Sequence, residues 1–358
     1  MIKINITKAS SSKLSGLDFA NIPFGKVFSD HMFTADYKDG AWTDLKIIPF
    51  GDLEISPVNL AIHYGQSIFE GMKASKMNDG TAVLFRPELH VDRINASADR
   101  MMMPNISKDI FMEAIHTLVD LEKDWIPSEP GSALYIRPFM FATDARLGVQ
   151  VSETYKFIVV VGPVGPYYPK PIKLLAETKY TRAANGGVGE AKTAGNYAAS
   201  LLPATLAKKR GYDQVVWLDS KEYKYVQEVG TMNLFFVFKD KVVTPSTDGA
   251  ILKGITRKSI IEILRSKNIE VEERRISLDE IFDAHDKGEL LEIFGSGTAA
   301  VVANVAKFDW EDRSIDFEDV KTHKIANGLR KIINGLRDGT EEDDFGWIVP
   351  VRSKVSAS

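Results

Sequence analysis

A proline-rich stretch in the middle of the chain sets the first limit on the fold. Four prolines and a glycine fall within residues 163–171 of the 358-residue chain. Proline lacks a backbone N–H and fixes φ, so neither a helix nor a central strand tolerates this density. The chain is also longer than one ordinary domain of about 100–200 residues. We therefore expect a mobile N-terminal arm over residues 1–20, a small domain over 21–163, a linker over 164–172 and a large domain over 173–358.

The small domain carries the signals of a mainly antiparallel sheet with helices. Asp39-Gly40 and Asn78-Asp79-Gly80 each separate two extended runs, a pattern typical of hairpins. Pro87 opens a predicted helix that ends at Met101, and Ser107 caps a second helix to about Trp125. Strands are predicted at Ser132–Ala142 and Lys156–Val161.

The large domain alternates predicted strands and helices. Predicted strands are Lys173–Glu177, Gln214–Leu218, Gln227–Phe238 and Leu290–Phe294, and predicted helices are Thr256–Ser266, Leu278–His285 and Asn196–Arg210. Pro203 is expected to kink the last of these, and Gly211 to stop it. The two halves together predict an α/β (α+β) fold.

Charge and composition exclude several classes of function. The net charge is −4, which gives no basic field to concentrate nucleic acid or anionic lipid. The chain has no cysteine, so disulfides, thiolate metal sites and a cysteine nucleophile are excluded, and no metal site is predicted. The N-terminus lacks the apolar core of a signal peptide, and no apolar run is long enough to span a bilayer. We expect a cytoplasmic protein.

Lys192 is the candidate reactive residue. It lies in the segment from Gly186 to Tyr197, which is otherwise built mainly from glycine, alanine and small polar residues. Small neighbours allow a bulky group to lie against the backbone. A lysine attacks a carbonyl only as the free amine, through desolvation or by forming an imine. The alternative is a flexible glycine-rich loop with a solvated lysine.

Four further features have the chemistry of one kind of pocket. The residues are Arg93 on a predicted helix, Glu228 at the head of an apolar strand, the helix start at Gly254-Ile255-Thr256, and the turn Gly295-Ser296-Gly297-Thr298-Ala299. Each alone has an ordinary alternative: a surface arginine, a paired acid, a generic helix start and a tight turn. Together with Lys192 and Tyr197, they supply an imine lysine, anion donors for a phosphate, a carboxylate for a ring nitrogen and a phenol. This set predicts a pyridoxal phosphate pocket.

The chain resembles the branched-chain amino acid aminotransferases of the fold type IV class of pyridoxal phosphate enzymes. The matching segments are Phe24-Gly25, Asp30-His31-Met32, residues 63–74, Phe85-Arg86-Pro87, Asp92-Arg93, Tyr135-Ile136-Arg137-Pro138, residues 186–192, residues 228–233 and residues 295–299. They cover the chain from about residue 20 to 305 in the family's order. The resemblance implies a two-domain homodimer with the cofactor in the large domain and the active site at the domain interface.

The resemblance also implies roles for individual residues. Lys192 would carry the cofactor as an imine and move protons, Tyr197 would bond its phenolic oxygen, and Glu228 would hold its pyridine nitrogen protonated. Arg93 and the amides of Ile255, Thr256 and Thr298 would hold the phosphate, while the amides of Thr231 and Ala299 would take the substrate α-carboxylate. The side-chain pocket would be Phe24, Tyr64, Phe69, Tyr135, Leu147, Val149 and Tyr167, with Tyr64, Leu147 and Val149 coming from the partner subunit. The alternative for these apolar residues is ordinary core.

Arg137 is the candidate cation for a substrate carboxylate in the implied reaction. One pocket must accept the apolar side chain of leucine, isoleucine or valine in one half-reaction and the γ-carboxylate of glutamate, the partner of 2-oxoglutarate, in the other. Burying that carboxylate without a cation would cost several kcal/mol. Alternation along the strand places Tyr135 and Arg137 on one face and Ile136 on the other. A permanent acid partner for Arg137 is the alternative.

Two rival functions stay open at this point. The first is another activity of the same fold, a D-amino acid transaminase or an aminodeoxychorismate lyase. The second is a protein that binds pyridoxal phosphate without catalysis. The motifs around Arg137 and Glu228 favour the branched-chain reaction, and the presence of Lys192, Tyr197 and Glu228 favours an enzyme.

Overall fold

The computed structural model describes residues 2–168, 170–317 and 319–353, and its contacts divide the chain into two compact units. The first unit contains the chain as far as Tyr167, the short segment Ala191–Ala194 and the chain from Asn334 onward. The second contains Tyr168–Glu190 and Gly195–Ile333. The break after Tyr167 falls within residues 164–172, but the segment with Lys192 packs with the first unit. Among the described residues, no helix has the length and apolar character needed to cross a membrane.

The first unit is a sheet packed against helices. Its strands are β1 (Asn5–Ile6), β2 (His31–Lys38), β3 (Ala41–Pro49), β4 (Ser67–Phe69), β5 (Met72–Lys76), β6 (Ala82–Phe85), β7 (Ala133–Ala142) and β8 (Tyr155–Val164), and its helices are α1 (Leu60–Tyr64), α2 (Pro87–Arg100) and α3 (Lys108–Leu121). The strand order is β1-β3-β2-β8-β7-β5-β6, with β4 beside β7, and only the pairing of β1 with β3 is parallel among these described strands. The mainly antiparallel prediction is confirmed.

Local turn and cap chemistry produced the elements of this unit that the sequence predicts best. Asp39 and Gly40 both have positive φ, 53° and 80°, as a two-residue hairpin turn requires. Pro87 is the first residue of α2, and the Ser107 hydroxyl accepts the N–H of Ile110 at 3.2 Å. The second helix ends at Leu121, before the predicted Trp125, because a separate 3-10 turn covers residues 123–125.

Strand β7 separates a core face from the face that carries candidate site residues. Leu134 and Ile136 are fully buried in the core that the sheet forms with α2 and α3. Tyr135 and Arg137 alternate with them and are only partly buried. The predicted alternation along this strand is confirmed.

The N-terminal stretch is better anchored than the sequence suggests. We predicted a mobile arm over residues 1–20. Instead, β1 pairs with β3, the Ala9 N–H donates to His31 Nε2 at 2.8 Å, and the Lys13 N–H donates to Asp30 Oδ1 at 2.9 Å. Local periodicity gives no signal of these contacts, because the partners lie far along the chain.

The second unit is built on a closed sheet. Its strands are β9 (Ile172–Ala176), β10 (Gln214–Leu218), β11 (Val226–Val229), β12 (Met232–Phe238), β13 (Lys241–Thr244), β14 (Glu270–Glu273), β15 (Leu290–Gly297), β16 (Val301–Trp310) and β17 (Arg313–Asp316). Its helices are α4 (Ala194–Ala198), α5 (Leu201–Lys209), α6 (Ile255–Ser266), α7 (Leu278–Asp286) and α8 (Lys324–Asp338), the first and last of which extend into segments of the first unit. The order β11-β10-β9-β16-β15-β12 closes into a barrel because β11 also pairs with β12. After α8, β18 (Ile348–Pro350) pairs with β6 of the first sheet.

Two predicted elements of this unit needed correction. The strand predicted over Gln227–Phe238 is a hairpin, because Gly230 with φ of 51° turns β11 back into β12. The helix predicted over Asn196–Arg210 is interrupted between α4 and α5. Pro203 has no N–H to donate to the carbonyl of Ala199, so it breaks the helix rather than kinking it.

Candidate active site

The backbone of Lys192 is held on both sides by the first unit. Its N–H donates to the Ser97 hydroxyl at 2.9 Å, and its carbonyl accepts the N–H of Phe69 at 3.0 Å. The next residue, Thr193, forms a β-bridge with Ile68. The Lys192 ammonium lies 4.6 Å from the centre of the Phe69 ring, within cation–π range. The lysine therefore extends from a fixed backbone, although glycines precede it.

Arg93 belongs to a buried ion-pair network. Its Nε and Nη2 donate to the two carboxylate oxygens of Glu70 at 2.7 and 2.8 Å, and Glu70 is fully buried. His90 Nδ1 lies 2.7 Å from the same carboxylate. Burial alone would raise the pKa of Glu70, but Arg93 and His90 outweigh it and hold the pKa well below its ordinary value. Burial lowers the pKa of His90, which favours the neutral imidazole beside the Glu70 carboxylate.

Arg137 lies within a group of aromatic rings. Its guanidinium is 4.7 Å from the Phe69 ring centre and 5.3 Å from that of Tyr135, and Nη2 donates to the Tyr135 hydroxyl at 3.0 Å. Phe24 makes edge-to-face contacts with Tyr135 and Tyr167 at 5.4 and 4.8 Å. Arg137 forms no ion pair with an acid in the described part of the chain, and its Nε is buried there without a hydrogen-bond partner. The alternative of a permanent acid partner is therefore not what the structure contains.

Three of the predicted pocket residues are exposed, one at the end of α1 and two on the loop after β7. Tyr64, Leu147 and Val149 are 42%, 63% and 87% exposed. The Tyr64 hydroxyl accepts the N–H of Gly148 at 2.9 Å, which brings the end of α1 and the loop together. Exposed apolar side chains gathered in this way are typical of an interaction surface.

In the second unit, Glu228 has a partner that the sequence did not indicate. Its Oε1 accepts the N–H of Leu252 at 2.6 Å, and its Oε2 lies 3.3 Å from Nε of Arg182. Both side chains are buried, and Nε of Arg182 makes no hydrogen bond of good geometry to any described residue, so the contact is mainly electrostatic. We expected the buried carboxylate of Glu228 to need a positively charged partner, for which a protonated ring nitrogen would serve. Arg182 already compensates that charge within the chain, so burial alone does not imply a cofactor.

The start of α6 has the features of an anion site. Gly254 precedes the helix, and no side chain caps its first turn, so the N–H groups of Ile255 and Thr256 have no side-chain acceptor among the described residues. A Cβ on Gly254 would lie 2.0 Å from Oδ1 of Asn233, which pairs across the sheet with Ser296. The Ser296 hydroxyl is buried without a hydrogen-bond partner in the described chain. These groups suit a phosphate.

The other candidate amides of the second unit lie in two tight turns. Thr231 follows Gly230 in the turn between β11 and β12, and Thr298 and Ala299 lie in the turn between β15 and β16. Val301, at the end of the second turn, has a φ of 58°, which is strained for a β-branched residue. Backbone strain of this kind is common where a turn contacts a ligand.

Tyr197 lies on α4, shortly after the lysine segment. Its neighbour Asn196 donates Nδ2–H to the carbonyl of Val188 at 2.8 Å, which ties α4 to the glycine-rich stretch before Lys192. This bond fixes the helix that carries Tyr197 relative to the glycine-rich stretch.

The structure therefore gathers the predicted residues into separate groups. The first unit holds Lys192, Arg93 and the aromatic rings around Arg137, and the second holds Tyr197, Glu228, the α6 start and the two turns. Sequence reasoning missed the residues that hold these groups in place: Glu70, His90, Ser97 and Arg182. Ser97 gave a partial signal because it lies one helical turn after Arg93 and hence on the same face.

Comparison with known proteins gives one consistent family. Residues 67–308 match the family described as Amino-transferase class IV. A probable branched-chain-amino-acid aminotransferase of Staphylococcus aureus (strain N315) is 52% identical over 337 residues, which cover 93% of this chain and 94% of that protein. A solved structure of the branched-chain amino acid aminotransferase from Escherichia coli is 27% identical with a TM-score of 0.73, covering 90% of this chain and 99% of that one.

A second solved structure bears on the cofactor. The T.th. branched-chain amino acid aminotransferase, complexed with N-(5'-phosphopyridoxyl)-L-glutamate, is 26% identical with a TM-score of 0.71, covering 89% of this chain and 98% of that one. These matches confirm the family and the fold that the motifs predicted. The chain belongs to the class IV aminotransferases, within the family of the branched-chain amino acid aminotransferases.

Proposed function

We propose that this protein transfers the amino group of leucine, isoleucine or valine reversibly to 2-oxoglutarate. The observation that carries this proposal is that the guanidinium of Arg137 lies against the rings of Phe69 and Tyr135. Aromatic walls favour branched side chains through burial of apolar area, at about 25 cal/mol per Å². Arg137 supplies the cation that the γ-carboxylate of glutamate needs in the same surroundings. The glutamate adduct in the T.th. relative is consistent with such a substrate.

The residues present fit pyridoxal phosphate, the cofactor that the family implies. The uncapped start of α6, with the buried hydroxyl of Ser296, suits the phosphate. Arg93 and the amides of Ile255, Thr256 and Thr298 would hold it, Tyr197 would bond the phenolic oxygen, and Glu228 would accept the ring N–H. When bound, the cofactor supplies a carbonyl that condenses with amines and a ring that accepts the electron pair left at the substrate Cα.

The chain's own residues would then perform the remaining steps. Lys192 would hold the cofactor between turnovers and afterwards move a proton from the substrate Cα as a general base. The fixed backbone of Lys192 confines that motion to its side chain. Glu228 would keep a proton on the ring nitrogen. The amides of Thr231 and Ala299 would orient the α-carboxylate through N–H donors.

We also propose that the protein works as a homodimer. Exposure of Tyr64, Leu147 and Val149 to solvent is unfavourable in an isolated chain, and the family resemblance assigns these residues to the partner's pocket. Light scattering should report a dimer, and Val149→Asp should shift it towards monomer with loss of activity. A parent protein that stays monomeric while active would contradict this assembly. The cytoplasmic location stays a prediction.

An absorbance titration tests the proposed activity against its rivals. Protein loaded with pyridoxal phosphate should show a visible band that L-leucine and L-glutamate each convert to the absorbance of the aminated cofactor, whereas D-alanine should leave it unchanged. Conversion by D-alanine but not by L-leucine would indicate a D-amino acid transaminase. A band that no amine substrate changes would indicate a lyase or a binding protein without transaminase activity.

A further inference from the structure

The Ser97 hydroxyl joins the two cofactor candidates of the first unit. It donates to the carbonyl of Arg93 at 3.0 Å and accepts the N–H of Lys192 at 2.9 Å. Because its single proton is committed to Arg93, its lone pairs are left to accept the bond from Lys192. Ser97 is only 1% exposed, so water does not compete for this hydroxyl.

The geometry makes α2 a common support for Arg93 and Lys192. Arg93 and Ser97 are one helical turn apart on α2, and Glu70 fixes the guanidinium of Arg93 from the other direction. Ser97 and Lys192 are 95 positions apart in sequence, so the bond between them fixes the lysine segment to a distant, rigid element. A second hold on Lys192 is the backbone N–H of Phe69, which remains when the side chain of Ser97 is changed.

We propose that Ser97 is a positioning residue for Lys192, which it holds in register for attachment to and release from the cofactor. This inference rests on the proposed role of Lys192 as the cofactor lysine. Over one full turnover the lysine amine would leave its covalent bond in the first half-reaction and return to it in the second, so its backbone must stay in place while its side chain moves. We expect phosphate binding to be independent of the Ser97 hydroxyl, because Glu70 still orients Arg93 when that hydroxyl is removed.

Ser97→Ala removes the acceptor for the Lys192 N–H, and it changes the side-chain volume only slightly. We expect hydrogen exchange at the Lys192 amide in the cofactor-free protein to become about tenfold faster, since one hydrogen bond contributes on that order. Covalent attachment of pyridoxal phosphate at Lys192, trapped by borohydride, should slow by a similar factor. The affinity for 4'-deoxypyridoxine 5'-phosphate, which has no aldehyde and binds without attachment, should stay within about twofold.

Asn95→Ala is the matched control on the same helix. Asn95 bonds both the N–H and the carbonyl of Ile106, so its loss weakens the unit without a direct change at Lys192. Asn95→Ala should lower thermal stability but leave Lys192 exchange and attachment at parent rates. Parent-like exchange in Ser97→Ala, or equal slowing of attachment in Asn95→Ala, would overturn the positioning role. If the parent protein fails to attach the cofactor at Lys192, the proposed function fails, and faster exchange in Ser97→Ala alone would still support the hold of Ser97 on that backbone.

Discussion

Glu70 accepts two hydrogen bonds from the guanidinium of Arg93, at 2.7 and 2.8 Å, in a position fully closed to solvent. This bidentate geometry fixes the plane of the guanidinium as well as its position. The side chain proposed to hold the cofactor phosphate is thus oriented by the chain itself, before any anion binds. An arginine held in this way loses little conformational freedom on binding.

Glu70→Gln should therefore destabilise the cofactor-free protein by about 3 kcal/mol, because it leaves a buried guanidinium without its counterion. Urea unfolding measures this loss. Glu88→Gln is a control on α2, the helix that carries Arg93: Glu88 pairs with Lys108, but both side chains are more than half exposed. Such a surface pair contributes about 0–1 kcal/mol. Equal losses in the two variants would show that burial of the Glu70 pair has no special weight.

Acid should remove the contribution of Glu70 in a predictable pH range. Although burial would raise the pKa of Glu70, Arg93 and His90 lower it below the ordinary value of 4.5. A group with a depressed folded pKa stabilises the protein above its unfolded pKa and loses that effect as the pH falls towards the folded value. The free energy of unfolding should therefore drop below about pH 4.5 more steeply in the parent than in Glu70→Gln. Parallel curves would refute this assignment.

The sequence predicted the elements whose signals are local. The hairpin at Asp39-Gly40 and the helix starts at Pro87 and Ser107 follow from residues within one turn of each other. The hairpin at Gly230 was missed because Val229 and Met232, which flank the turn, and the run from Leu234 to Phe238 are apolar, so the whole segment resembles one long buried strand. Strands β16, β17 and β18 and helix α8, which follow Ala299, were not predicted.

The site shows the same division between local and distant information. Motifs identified Lys192, Arg93 and Glu228 as candidate groups, because each stands within a recognisable segment. Their partners could not be derived from spacing. Ser97 is 95 positions from Lys192, and Arg182 meets Glu228 only because two distant segments meet in the second unit.

Glu228→Gln should lower the rate of single-turnover amino transfer by about 100-fold, because the charge that holds a proton on the ring nitrogen is lost. Cofactor affinity should change far less, since glutamine has nearly the same shape. Rapid-mixing absorbance with L-leucine measures the rate, and equilibrium dialysis measures the affinity. If the variant transferred amino groups at the parent rate, Glu228 would serve only as the ion partner of Arg182.

Arg137→Ala should separate the two half-reactions. We expect the KM for glutamate and 2-oxoglutarate to rise by about 10–100-fold, because a buried carboxylate would lose its charged donor. The kinetics for leucine, which has no side-chain charge, should change much less. Separate half-reaction measurements provide the comparison within one protein. Equal losses for leucine and glutamate would mean that Arg137 only supports Phe69 and Tyr135.

Borohydride reduction followed by peptide mapping tests whether Lys192 carries the cofactor. In the parent, reduction should fix pyridoxal phosphate to the peptide that contains Lys192. In Lys192→Ala, the cofactor should still bind without attachment, and turnover should be abolished, because both the covalent link and the proton carrier are lost. A label on another lysine in the parent, or a Lys192→Ala protein that is labelled and active, would show that Lys192 is not the attachment site.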